Sequence, residues 1–297
     1  MDSKGTIFVN SICPILFLGT AAALQLGCST VYLKNSLNFS LVILFFFVTT
    51  GIYLLNRIVD EEDKFNNLKR WQFFNGTTKR FCFWMSTAAI LLASPVIISL
   101  LLRKIEVALV FALICISGLF YSVRLLPWFF KNEIRWFSFK DIPILKSLIV
   151  CVLWSVSAFL IAVVDSQISI LRIDILIILM IFFISSLNST ISSDVRDIDG
   201  DRIRNIYTIP VLIGAQNSLK MLMAIDIIGI ASVTVLFIGN VITLKMLIFS
   251  CFILIWAGLS ILPQYFLPRK ISKTALEIIV DSESIICAIC LVMLSFH

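Results

Sequence analysis

Nine stretches of about 20 mostly apolar residues run through this chain, each long enough to cross the hydrocarbon core of a bilayer as a helix. They fall at about 6–27, 38–59, 81–102, 105–126, 143–164, 173–193, 218–239, 241–262 and 274–296. Backbone buried in lipid has no water to bond with, so such a run must satisfy its own N–H and C=O groups, which a helix does. The composition agrees: 60% hydrophobic residues, 14% charged residues and a mean hydropathy of +1.03 exclude an ordinary soluble domain. The predicted fold class is all-α, a polytopic membrane protein built as a bundle of nine transmembrane helices. The spans use most of the 297 residues, so a single transmembrane domain over 1–297 is predicted, with cap loops at about 60–80, 127–142 and 194–217. The first apolar run is too long for a removable signal peptide and lacks a small-residue cleavage site, so it is read as a span.

Lysine and arginine set the expected orientation, because cytoplasmic loops carry the excess of both. With the N-terminus in the cytoplasm, 19 of the 24 basic residues lie on that side. Only Lys34, Arg103, Lys104, Arg172 and Lys245 lie on the other. The net charge of +6 then follows mostly from topology. Basic residues spread over several loops beside a membrane do not make a nucleic-acid surface. No obligatory protein partner is evident either. The partner expected from composition alone is the lipid bilayer.

Acidic residues are scarce, 18 in all, yet eight of them fall in two short stretches. One is Asp60, Glu61, Glu62 and Asp63, preceded by Asn56 and Arg57; the other is Asp194, Asp197, Asp199 and Asp201. Both follow an apolar segment, and both land on the basic side. Charge beside lipid needs compensation, and hard divalent cations holding a phosphorylated ligand would supply it for two carboxylate clusters. At about 100° per residue, Asn56, Asp60 and Asp63 share one stripe of a helix, and so do Asp194, Asp197 and Asp201. Asp199 falls on the opposite face. Three oxygen-bearing side chains one turn apart suit Mg²⁺, which combines a few carboxylates with phosphate oxygens and water.

Other chemistry is poorly served. The one histidine is His297, the last residue of this sequence, which leaves no basis for His-ligated metal or His-based catalysis. The eight cysteines fall almost entirely within apolar segments, and Cys287 and Cys290 form a C-x-x-C with no second pair, so they read as packing residues. Asp226, Asp281 and Glu283 lie inside predicted spans and are candidates for function by that placement.

These motifs resemble the UbiA-like superfamily of intramembrane prenyltransferases, which carries an Asn-led aspartate motif after its second helix and D-x-x-D-x-x-x-D after its sixth. The second motif matches at Asp194, Asp197 and Asp201, followed by Thr208, Pro210 and Gly214. Tyr121-Ser122, Asp141-Ile142-Pro143 and Lys146 look like the family's loop between helices 4 and 5. The first motif departs from the usual pattern, with Arg57 and Lys64 where aspartates are commoner. The resemblance implies a helical bundle around a central cavity and Mg²⁺ as cofactor, held by Asn56, Asp60, Asp63, Asp194, Asp197 and Asp201. It implies Lys146, Tyr121 and Asp141 as catalytic residues, with Arg124, Lys131, Lys140 and Asn56 toward the diphosphate.

The function implied is Mg²⁺-dependent transfer of an isoprenyl group from an isoprenyl diphosphate to a hydrophobic acceptor: an aromatic, a quinone precursor or a lipid. An anionic head on an apolar tail explains why such an enzyme resides in a membrane, here with its active site expected on the cytoplasmic face. Two alternatives stand beside it. A terpene cyclase on the same scaffold would need no acceptor, and a carboxylate-based transporter would place its charge near the bilayer midplane on broken helices.

Overall fold

A computed structural model of the chain describes residues 3–60, 64, 68–130, 133–203, 206–266 and 273–295. In chain order the elements are α1 (Ser3–Lys34), α2 (Phe39–Val59), α3 (Leu68–Asn75), α4 (Thr78–Leu101) and α5 (Ile105–Ser122). A hairpin of β1 (Leu126–Phe130) and β2 (Glu133–Phe137) and a 3₁₀ turn (Phe139–Asp141) follow. Then come α6 (Leu145–Ser166), α7 (Ile173–Ile203), α8 (Ile209–Ile213), α9 (Ala215–Ile238), α10 (Leu244–Phe266) and α11 (Lys273–Ser295). Among the described residues, α1, α2, α4, α5, α6, α7, α9 and α10 are long and apolar enough to cross a membrane. The ninth expected span is also helical, as α11, and carries a shorter apolar stretch at Ile285–Ser295. The chain is thus an all-helical polytopic membrane protein, as its hydropathy predicts.

The chain divides into two compact units, the first holding Met1–Leu26 with Asn38–Phe139. Within it α2 packs on α4 and α5, and the short α3 lies against α2 and α4. Its core joins Ile15, Leu54, Leu55, Ile58, Phe74 and Ala88. Phe73, Phe74 and Trp84 form an aromatic cluster with ring centroids 5.1–5.5 Å apart. Gly118 lets α5 close on α2, since a Cβ there would come within 2.7 Å of Ile52. The hairpin is antiparallel, with Leu126 opposite Phe137 and Phe130 opposite Glu133. It occupies the stretch expected to be an irregular cap loop, because two five-residue aromatic-rich runs can pair their backbones with each other.

The second unit holds Gly27–Leu37 with Lys140–His297. Here α7 is the hub, touching α6, α8, α9, α10 and α11. Ile175, Ile178, Ile181 and Phe182 of α7 are essentially inaccessible, and Phe159, Val233, Phe249, Ile253, Leu254 and Leu291 close around them. At 31 residues and 1.5 Å per residue, α7 is about 46 Å long, well beyond the ~30 Å hydrocarbon core. The stretch from Asp194 to Asp201, expected in a cap loop, is the last part of this helix.

Candidate active site

In the first unit, α2 ends at Asp60, whose backbone turns extended (φ −76°, ψ 98°) while its side chain stays buried. Asn75 Nδ2, at the end of α3, donates 3.0 Å to the carbonyl of Ile58, so a neighbouring helix satisfies a backbone acceptor that α2's end leaves open. The Oδ1 atom of Asn56, one turn before Asp60, is buried with no hydrogen-bond partner among the described residues. Tyr121 stands half-buried in the last turn of α5, and Arg124 is exposed just beyond it. Asp63 and Lys131 lie outside the described residues.

In the second unit the first turn of α6 meets the acidic end of α7. Lys146 Nζ sits 3.0 Å from both carboxylate oxygens of Asp201 and 3.4 Å from Asp194 Oδ1. Ser147 donates its hydroxyl proton to Asp194 Oδ2. Both carboxylates are deeply buried, their side chains 6% and 1% exposed. Asp197, the middle member of the predicted stripe, is not drawn in: its side chain is 50% exposed and pairs with Arg196 at 3.3 Å. Seven residues bring Asp194 and Asp201 to within about 20° of each other around the helix, whereas Asp197 lies about 60° from Asp194. Asp199 is exposed, as its opposite-face position predicts. Lys140 and Asp141 are half-buried in the 3₁₀ turn leading to α6. Among the described residues, no three Asp, Glu, Cys or His side chains are grouped closely enough to hold a metal ion by themselves.

Ser147 is the residue that sequence reasoning missed. Its only sequence signal is a hydroxyl in the first turn of an apolar helix, directly after the lysine already singled out. Deeper in the second unit, Asn188 Nδ2 donates 2.8 Å to Asp226 Oδ1, and Ser185 and Ser260 both donate to Glu283. Two of the three intramembrane acids are therefore tied into the helix packing of α7, α9, α10 and α11. The third, Asp281, has no described side chain.

The structure is a helical membrane bundle with buried carboxylates at one helix end and a lysine between them. The sequence matches the pattern of the UbiA prenyltransferase family over residues 12–275, and the chain belongs to that family, a class of transferases. No curated protein sequence matches it. Solved structures share its fold. A structure described for digeranylgeranylglyceryl phosphate synthase in membranes is 16% identical with a TM-score of 0.61, over 99% of each chain. A UbiA homologue from Archaeoglobus fulgidus bound to DMAPP and Mg²⁺ is 16% identical with a TM-score of 0.63, over 96% of this chain and 99% of that one. An apo UbiA homologue from Aeropyrum pernix K1 is 14% identical with a TM-score of 0.62, over the same shares.

Proposed function

We propose that this chain works as one prenyltransferase domain, moving an isoprenyl group from an isoprenyl diphosphate to a hydrophobic acceptor with the help of Mg²⁺. The buried pair Asp194 and Asp201, facing the ammonium of Lys146, is the observation that carries the reading. Two negative charges buried at the membrane face are stable only with cations beside them. Each unit carries donors that suit a hard cation: carboxylate oxygens in the second, and in the first buried Asp60 with an amide oxygen, Asn56 Oδ1, that has no partner among the described residues. The residues that would hold Mg²⁺ are Asn56, Asp60 and Asp63 in the first unit and Asp194 and Asp201 in the second, with exposed Asp197 left to Arg196. Bound there, the metal would supply charge neutralisation for the departing diphosphate. The fold-sharing homologue reported with DMAPP and Mg²⁺ supports the same ligand pair.

The chain's own residues do the rest. Lys146, Lys140, Arg124 and Lys131 offer positive charge to the diphosphate, which leaves with the electron pair of the broken C–O bond. The allylic carbon then bonds to the acceptor, which loses a proton. We assign Tyr121 a hydrogen bond to the diphosphate or a position facing the allylic cation, and Asp141 a role in the same reaction. The N-terminus and both acidic clusters are assigned to the cytoplasm. Asp60 and the stretch from Asp194 to Asp201 lie at helix ends and not at mid-helix, which favours transfer over transport.

The test is binding and turnover of dimethylallyl through geranylgeranyl diphosphates by the purified protein, with lipids co-purified from the host screened as acceptors. Chelating the metal should weaken diphosphate binding about tenfold or more, a loss of about 1.4 kcal/mol. Equal affinity with and without Mg²⁺ would remove the metal from the mechanism. A cyclic product formed without acceptor would reassign the chain to cyclisation.

A further inference from the structure

Lys146 and Ser147 between them engage all four carboxylate oxygens of Asp194 and Asp201. Those are the oxygens a divalent ion would need. The backbone just before them is unusual. Ile144 has φ 65° and ψ −31°, and Leu145 N–H donates 2.7 Å to the carbonyl of Pro143, closing a three-residue turn. A β-branched residue at positive φ in such a turn is strained, and it persists only where the surroundings hold it. Here the holding contact is Ile144 N–H to the carbonyl of Tyr207, 3.0 Å away. The strained turn delivers the first turn of α6 onto the acidic end of α7.

We propose that Lys146 is a resident counter-ion of this site and competes with the metal: a divalent cation reaches Asp194 and Asp201 only as the lysine leaves them. The inference rests on the reading that this cluster binds a divalent ion. Among the described residues one ammonium faces two buried carboxylates, whereas a divalent ion balances both charges. Displacement nonetheless strands the ammonium at a site where its side chain is only 19% exposed. A diphosphate arriving with the metal removes that cost, because the long flexible stem of lysine lets the charge swing from carboxylate to phosphate. Metal and diphosphate then bind together, and metal alone binds poorly. Lys146 thus serves twice, first as a stand-in for the cation and then as a partner of the leaving group.

The experiment is Mn²⁺ titration followed by electron paramagnetic resonance, on the full chain in nanodiscs and without diphosphate. Lys146→Met should bind Mn²⁺ about tenfold or more tighter than the unmodified protein, while Lys146→Arg should stay weak. Adding Asp201→Asn to the methionine variant should abolish the gain. A purely structural lysine predicts the opposite sign, so a folded Lys146→Met protein binding Mn²⁺ equally or more weakly overturns the proposal. Should that variant not fold, the unmodified protein decides the matter by site-resolved amine labelling. Labelling of Lys146 should rise as Mg²⁺ is added to saturation without diphosphate, and unchanged labelling overturns the proposal. The transfer assay fails or succeeds independently, so loss of the counter-ion role leaves the prenyltransferase reading standing.

Discussion

Asp194 and Asp201 differ from Asp197 and Asp199 in burial, and burial decides what removing a charge does. An exposed carboxylate paired with a neighbouring arginine is screened by water and contributes little, as for Asp197 beside Arg196. A carboxylate sealed against Lys146 sets the charge of the whole site. Asp201→Asn keeps the size of the side chain and removes one negative charge. Its turnover number should fall on the order of 10²-fold if metal charge supplies several kcal/mol. Asp199→Asn should keep nearly full turnover, with both variants melting close to the parent. An Asp199→Asn loss as large as that of Asp201→Asn would sink the assignment of the buried pair as the reacting face. Asn56 offers a parallel case in the first unit, since its buried Oδ1 lacks a partner among the described residues while Asn75 caps the nearby carbonyl of Ile58.

At the scale of elements, hydropathy reads where a helix touches lipid and not where it stops. The predicted span 38–59 and the observed α2 nearly coincide, because Asn38 accepts from Leu41 N–H at the start and Asp60 leaves helical geometry at the end. The predicted 173–193 and the observed Ile173–Ile203 differ by ten residues, since a backbone ladder continues unchanged as its side chains turn from isoleucine to aspartate. Spacing alone placed Asp194, Asp197 and Asp201 on one stripe, but only the packing of α6 shows that the first and third are taken in. Ser147 was illegible for the same reason: its role depends on a partner 47 residues away. The acids inside the spans were visible, and their partners were not. Asn188 Nδ2 bridges Asp226 and the carbonyl of Ile184, tying α7 to α9. Asn188→Leu should destabilise the protein by about 1–2 kcal/mol by leaving a buried carboxyl unsatisfied. Adding Asp226→Leu should cost less than the sum of the two single changes, the signature of a coupled pair in a double-mutant cycle. Simple additivity in thermal or denaturant unfolding would show that the bridge contributes nothing.

At the scale of the molecule, the outward faces carry large apolar side chains such as Leu101, Ile90, Ile227, Val235 and Ile238, each at least two-thirds exposed. Water would not tolerate such faces, and lipid requires them. The orientation within that lipid is testable. In a background stripped of its native cysteines, Asn66→Cys and Asn205→Cys should label only from the cytoplasmic side; labelling only from outside would invert the topology and move the proposed active site to the other face. The hub helix has one more property. At its first turn Arg172 grips Asp174 in a bidentate pair and Tyr32 donates 2.9 Å to the same carboxylate. At its far end Lys146 and Ser147 hold Asp201 and Asp194. Held by Tyr32 at one end and by Lys146 and Ser147 at the other, α7 keeps its register against both neighbours. When the membrane thickens or thins, lipid deformation and tilt can absorb the mismatch, while the distance between the two ion-paired ends stays set by the length of one helix.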